Sequence, residues 1–325
     1  MKAGQIVALR QVEIVDVEEP TLGDASPGMI KVRVERACLC GSDTPKFVRD
    51  HRDAYPLPVG QSMHECLGTV VESTSARFQE GDLVLALPAN HAGLCEYFCT
   101  PENQAIHLPR EELPLEQILM AQPLGTVIWT CQKLGSLLDL HTAVVGQGPM
   151  GLLFSHMLSN LGARTVIGLD KLDYRLAAAR AMKATHTVNV DRQDPVAAVQ
   201  EITGGKMADV VFEVVGHQTA TIGLCISLVR QMGTVMTFGV PDVATYPDFP
   251  YQRVFKRNLT LIGSVGANVV PNYSLARDMI VQGRIDVSPI ITHALPFSEI
   301  ERAYEMFADR KDGAIKVVLD YETLR

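Results

Sequence analysis

Several classes of protein are excluded by what this chain lacks. No uninterrupted apolar stretch is long enough to span a bilayer, so no transmembrane helix is expected. Basic residues are not in excess: 29 Lys and Arg stand against 37 Asp and Glu, giving a net charge of −8. That balance argues against nucleic acid or an anionic membrane surface as the main partner. The first ten residues, MKAGQIVALR, contain no apolar leader region, and secretion is not expected. The seven cysteines are odd in number and irregularly spaced, which fits reduced thiols in the cytoplasm rather than a disulfide framework. Low-complexity segments and internal repeats are also missing. What remains is an ordinary globular composition, 47% hydrophobic and 20% charged, in a chain of 325 residues. That length exceeds one typical core, so two domains are expected.

The texture of the chain changes near Leu115. Before it, short alternating segments such as Ile30–Glu35 and Gly68–Glu72 are separated by Pro, Gly and Asp, the pattern of a β-rich region. Leu115–Leu134 has helical apolar spacing. From Ala143 onward strands and helices alternate. Strands are predicted near Val188–Val190, Asp209–Glu213, Gly233–Phe238 and Leu259–Ile262, and helices over Leu172–Met182, Val196–Ile202 and Thr219–Leu228. This order makes an α/β fold with a doubly wound parallel sheet. The tail adds helices at Leu275–Gln282 and Ser298–Ala308, then a strand Ala314–Leu319 expected to return to the first domain. The predicted division is therefore discontinuous, with 1–122 and 264–325 in one domain and 123–263 in the other.

The motif that carries most chemistry is Gly146-Gln-Gly148-Pro149-Met150-Gly151, between an apolar strand and an apolar helix. A second strand follows and delivers Asp170. In such a unit Gly146 permits a tight turn, Gly148 lets a pyrophosphate approach the backbone, and Gly151 lets helix and strand pack closely. Asp170 would accept from the adenosine ribose hydroxyls and repel a 2′-phosphate, favouring NAD. Lys171 and Arg175 leave room for NADP, because a nearby cation can hold that phosphate.

A second set lies in the β-rich region: Cys40-Gly-Ser42-Asp43 and His64-Glu65. Thiolate, imidazole and carboxylate are all zinc ligands, and a catalytic zinc uses about three of them plus an open position. Taken alone, the set is better explained as a buried thiol and a satisfied core histidine, by roughly three to one. Its place upstream of a dinucleotide-binding unit turns the balance toward metal.

With these residues in view, the chain resembles the zinc-dependent medium-chain dehydrogenase/reductases over essentially its whole length. The markers are Cys40-Gly-Ser-Asp43, His64-Glu65-x-x-Gly68, Gly81-Asp82, Gln122-Pro-Leu124, the glycine turn, Val211–Gly216, Gly233–Val240, Leu261–Ser264 and Lys311–Val318. The resemblance implies a β-rich GroES-like catalytic domain and a Rossmann cofactor domain. It implies that Cys40, His64 and Glu65 hold zinc, with Gln122 as a further candidate ligand, and that Ser42 begins a proton relay from the substrate hydroxyl. Zinc would lower the pKa of an alcohol whose hydride passes to the nicotinamide. Val215 and Gly239 would join the cofactor residues, and Lys316 would lie near the pyrophosphate. A homodimer or homotetramer is implied, with the strands at Gly233–Val240 and Leu259–Val265 offering an edge for a second subunit.

Four departures from the family pattern shape the expectations. The four-cysteine lobe of a structural zinc is missing, so one zinc per chain is expected, with Cys95 and Cys99 as buried strand thiols. Pro45 stands where many relatives carry the histidine that ends the relay, leaving water, His51 or Lys46 to serve. Met63 stands where relatives commonly have glycine. Gln122 replaces a carboxylate or thiolate near the metal; together with Gly263–Asn268, it resembles certain sugar dehydrogenases and tilts the substrate toward a polyol or sugar. Phe47, Tyr55 and Tyr97 are candidate substrate contacts. The alternatives are a threonine or amino-alcohol dehydrogenase on the same fold, and a cofactor-binding module without catalysis. Cys40, Ser42, His64 and Glu65 kept together speak against the second.

Overall fold

The β-rich region is built on one long strand. Ile30, Val32 and Val34 alternate with Lys31, Arg33 and Glu35 along Met29–Cys38, so the branched apolar side chains share one face and are buried there. The computed structural model describes residues 1–23, 27–49, 54–110, 113–217 and 219–324. In chain order its first elements are β1 (Lys2–Ala8), β2 (Gln11–Asp16), β3 (Met29–Cys38), helix α1 (Thr44–Val48), β4 (Glu65–Ser73), β5 (Leu83–Ala86), β6 (Tyr97–Pro101) and β7 (Ala105–His107). Two helices follow, α2 (Leu115–Leu119) and α3 (Ala121–Cys131). The single helix expected over Leu115–Leu134 is thus broken at Met120. Pro123 supplies the reason, since it has no N–H to give the carbonyl of Leu119.

The strand–helix alternation then runs β8 (His141–Val145), α4 (Pro149–Asn160), β9 (Thr165–Asp170), α5 (Asp173–Ala181), β10 (His186–Asn189), α6 (Pro195–Ile202), β11 (Ala208–Glu213), α7 (Ala220–Leu228), β12 (Val229–Thr237), α8 (Tyr251–Lys256) and β13 (Thr260–Gly263). These strands pair in parallel in the order β10-β9-β8-β11-β12-β13. Order reverses between β8 and β11, the switch point at which open sheets of this kind bind ligands. The core beneath it gathers Ala143, Ile167, Val211, Ile226 and Val235.

The last elements are α9 (Ser274–Val281), β14 (Ile291–Pro296), α10 (Ile300–Asp309) and β15 (Lys316–Asp320). β15 lies antiparallel beside β3, with Val318 opposite Cys38, and so completes the first sheet in the order β14-β15-β3-β4-β5-β7, with β6 also paired to β3. One structural unit comprises 1–125, 268–283 and 291–325, and the other comprises 126–267 and 284–290. Residues 284–290 correct the predicted division, which left the whole tail in the first domain. Ile285 and Ile290 are buried, and the Arg284 carbonyl accepts from Asn160 Nδ2 at 2.9 Å, which ties the segment to α4.

Candidate active site

The glycine turn is held by its own side chains. Gly146 sits at φ 96°, where a side chain would be strained, and a Cβ on Gly151 would lie 1.8 Å from the Gly146 carbonyl oxygen. Gln147 is fully buried: its amide donates to Val144 O at 3.0 Å, and its own oxygen accepts from Ser155 Oγ at 3.0 Å. Asp170, at the end of β9, accepts from the Gln147 N–H at 2.8 Å and the Leu172 N–H at 3.0 Å. Gly148 precedes Pro149, the first residue of α4, so the helix N-terminus opens at the turn with one fewer N–H to satisfy.

A Cβ on Gly148 would meet only the Arg175 guanidinium, at 3.6 Å. Arg175 also stands 3.9 Å from Asp170, and its Nε is buried with no partner among the described residues. An open glycine, a helix N-terminus and an unserved guanidinium nitrogen fit a dinucleotide phosphate. Met150 follows Pro149 into α4, and Lys171 is exposed. At the far side of the switch point, Glu213 accepts from the Val215 and Gly216 N–H groups at 3.0 and 3.2 Å. Gly239 packs so tightly that a Cβ would lie 2.3 Å from the Gly216 nitrogen. A cavity of about 490 Å³ opens there, at the carboxyl ends of β11, β12 and β13, lined by Glu213, Thr237, Phe238, Gly239, Val240 and Ser264 among others. Lys133 reaches its rim, donating to Gly263 O at 3.1 Å with its ammonium 5.2 Å from the ring of Trp129.

In the other unit, Cys40, His64 and Glu65 come together, with their ligand atoms all within 4.8 Å of one another. Cys40 follows β3 and Glu65 opens β4. Cys38 and Glu65 are directly paired across these strands, which brings the two ends together. His64 Nδ1 and Ser42 Oγ are buried and have no hydrogen-bond partner among the described residues. Buried polar atoms are rarely left so. The imidazole nitrogen turned to Cys40, with the Cys40 thiol and the Glu65 carboxylate, would hold a metal, and a metal-bound substrate would serve Ser42 Oγ, so the residues present fit zinc. Burial by itself would lower the pKa of His64, but a hydrogen bond and negative charge from Cys40, with Asp43 and Glu65 nearby, hold it up at about 9.

The surroundings of this cluster are largely polar and buried. Lys316, 1% exposed, places Nζ 2.6 Å from Glu65 Oε2. β15 inserts next to β3, and a lysine buried there takes a carboxylate partner. Burial opposes its charge, while Cys38, Glu65 and Cys40 keep it protonated. Cys38 Sγ donates to the same Glu65 oxygen at 2.8 Å, and burial pushes its thiol pKa well up, with the Glu65 charge adding to this. Asp43, 1% exposed, accepts from the Cys40 N–H at 2.9 Å and the Met63 N–H at 2.8 Å. Met63 keeps the left-handed conformation that a glycine would adopt freely, at φ 64°, and is fully buried. Gln122 donates to the Tyr273 hydroxyl at 3.2 Å, and burial pushes that phenol's pKa up.

Some sequence expectations fall elsewhere. Phe47 is fully buried against Tyr304, at 5.1 Å between rings, and so is a core residue. Tyr97 lies under the Lys31 ammonium, and Tyr55 donates to Arg49 O at 2.8 Å. Cys95 is buried and Cys99 half-buried. Pro45 is in the first turn of α1, and His51 lies outside the described residues. Sequence reading missed Cys38, Ser62, Tyr273, Tyr304 and His91, whose ring packs 4.7 Å from that of His64. Asp43 was within the Cys40 motif, but its part in holding Cys40 and Met63 was not read from it.

Comparison with known proteins supports the same reading. Residues 26–113 match the alcohol dehydrogenase GroES-like domain, and residues 149–282 match the zinc-binding dehydrogenase domain. The chain is 26% identical to an L-threonine 3-dehydrogenase of Bacillus velezensis, over 89% of this chain and 90% of that one. It is 27% identical to sorbitol dehydrogenase 1 of Saccharomyces cerevisiae, over 96% and 97%. Its fold matches the alcohol dehydrogenase TADH from Thermus sp. ATN1 with a TM-score of 0.87, at 27% identity, over 99% of this chain and all of that one. No helix is long and apolar enough to cross a membrane among the described residues. With the glycine turn and the Cys40, His64 and Glu65 cluster in place, the chain belongs to the zinc-dependent medium-chain dehydrogenases, as an oxidoreductase of the alcohol dehydrogenase type that uses a nicotinamide cofactor.

Proposed function

We propose that the chain interconverts a secondary alcohol of a polyol or sugar with its carbonyl, using NAD and a single zinc held by Cys40, His64 and Glu65. The observation that carries this is the clustering of those three donors beside two buried atoms, His64 Nδ1 and Ser42 Oγ, that the described residues leave unserved. When bound, zinc held by these residues would supply Lewis acidity toward the alcohol oxygen and a nicotinamide would supply the hydride acceptor. Ser42 Oγ would accept the hydroxyl proton as it hands its own proton to water, because Pro45 cannot carry it. Lys316 and Cys38 fix Glu65 by its Oε2, so the carboxylate does not swing. Gln122 brings no charge of its own, and the site stays more positive than one built with a carboxylate there.

NAD is favoured because Asp170 stands at the end of β9 with its carboxylate fixed by two backbone N–H groups, ready to accept ribose hydroxyls and to repel a 2′-phosphate. Arg175, 3.9 Å away, makes NADP a weaker second cofactor. A second subunit is proposed to pair along the free edge of β13, where Leu261 and, just beyond, Val265 (84% exposed) present apolar side chains. The cytoplasm is the proposed setting, in keeping with seven free cysteines.

The test joins a metal assay to a screen of polyols, sugars and amino alcohols, following NADH and NADPH formation. One zinc per chain and NADH formed on a polyol or sugar support the proposal. Turnover confined to threonine would favour the second reading, to which the likeness to L-threonine 3-dehydrogenases points. Zinc-free protein that binds NADH without turnover would overturn both. Sedimentation showing only monomer would remove the β13 interface.

A further inference from the structure

The two chain segments that bring Cys40 and His64 together are joined by one line of hydrogen bonds, and that line begins on a distant helix. Tyr304, on α10 and 2% exposed, donates its hydroxyl to Ser62 Oγ at 2.5 Å. Ser62 Oγ, fully buried, donates to Asp43 Oδ1 at 2.9 Å. The same oxygen takes the Met63 N–H, and the other Asp43 oxygen takes the Cys40 N–H. The direction of this line follows from the groups themselves. A phenol has one proton, and Tyr304 spends it on Ser62. Ser62 also has one, which is then committed to Asp43, an acceptor only.

What the line holds is strained. Met63, immediately before His64, occupies a left-handed conformation that an L side chain adopts at a cost. Such a residue persists where its surroundings over-determine it. Besides Asp43, the Gly93 N–H donates to the carbonyls of Ser62 and Met63, at 2.9 and 3.2 Å. Among the three side-chain and backbone donors to Asp43, only Ser62 can rotate its proton away, and Tyr304 is what prevents it.

We infer that Tyr304 is a positioning residue for the metal centre, acting through Ser62 and Asp43 on the backbone that carries Cys40 and His64. The inference rests on those residues and Glu65 holding zinc. Groups that hydrogen-bond a ligand typically set metal affinity by tenfold or more, and Tyr304, three hydrogen bonds back through Ser62 and Asp43, sets it more weakly. Tyr304 does so without touching metal, substrate or cofactor, and the ring packing on Phe47 is a separate contribution that a phenylalanine would keep.

The test uses the full chain loaded with cobalt(II), measuring its visible absorption bands and, by competition with a chromophoric chelator, its zinc affinity. Tyr304→Phe is expected to weaken zinc binding about threefold, less than the loss of a direct partner of a ligand, and to shift the cobalt bands. Ser62→Ala should reproduce both changes, and the double variant should be no worse than Ser62→Ala. Phe297→Leu is the control: Phe297 is fully buried in the same core, with an aromatic neighbour in Tyr321, and its loss should lower the melting temperature while leaving the cobalt bands in place. Unchanged affinity and bands in Tyr304→Phe overturn the role of Tyr304, as does a Phe297→Leu variant that shifts the bands equally. If Tyr304→Phe does not fold, Ser62→Ala decides by the same criteria. A wild-type chain that takes up neither zinc nor cobalt would sink the metal reading itself, a result distinguishable from the others.

Discussion

The glycine turn and the metal cluster solve opposite problems. The turn satisfies itself locally: Gln147 closes on Val144 and Ser155, Asp170 receives the Gln147 and Leu172 N–H groups, and the partners lie within about one βαβ unit. The metal cluster is assembled from distant pieces of chain and leaves His64 Nδ1 and Ser42 Oγ unserved. It carries a buried ion pair, a buried carboxylate and a left-handed methionine. The turn folds on its own hydrogen bonds and leaves the buried Arg175 Nε for an arriving phosphate. A resident metal is met by groups that are incomplete without it.

That contrast can be broken by substitution. Cys40→Ser should have the largest effect, abolishing zinc retention and turnover while sparing NADH binding. Metal analysis and NADH fluorescence check it together, and retained activity would remove the cysteine from the mechanism. Next comes Lys316→Met, which strands the Glu65 carboxylate at 1% exposure. Removing one partner of a buried pair costs about 3–5 kcal/mol, so denaturant unfolding of the metal-free chain should show a loss of that order. A loss under about 1 kcal/mol would mean that water reaches Glu65.

Gly151→Ala tests the turn. Its Cβ must displace the Gly146 carbonyl, and overpacking of this kind costs about 1–3 kcal/mol. NADH affinity should fall with zinc content unchanged, and a fall in both would show that the two sites do not stand alone. The smallest effect is expected from Gln122→Glu. A carboxylate there exchanges the donor to Tyr273 for an acceptor of the tyrosine proton, and zinc should bind up to about tenfold more tightly if the side chain faces the metal. Unchanged zinc affinity would place Gln122 outside the ligand set.

How much of this was legible depended on how far apart the partners are in sequence. The strand–turn–helix of Val144–Leu158 could be read directly, because its glycines and Asp170 act on near neighbours. Cys40, His64 and Glu65 were legible as residue types, and only the pairing of β3 with β4 brings them together. The pairing of Lys316 with Glu65 was not legible, because it follows from the register of β15 against β3, which no local pattern encodes. Tyr304 and Tyr273 left no signal: each sits in a helical segment as an aromatic with ordinary apolar spacing, and only tertiary contact gives its hydroxyl a partner. Residues 284–290 were misassigned for the same reason. A side-chain bond to α4 and the buried Ile285, Val287 and Ile290 attach them, and periodicity does not show this.

The position of the lone tryptophan has a practical consequence. Trp129 lies on α3, with the Lys133 ammonium over its ring, and Lys133 also reaches the rim of the cavity at the ends of β11, β12 and β13. The chain therefore carries a single-channel optical reporter. Selective excitation of that indole would report changes at Lys133 on the cavity rim, with no other tryptophan in the sequence. Cobalt absorption reports the metal cluster in a different part of the spectrum. The two signals together would time the arrival of cofactor and the loading of metal in one cuvette, without a label on either.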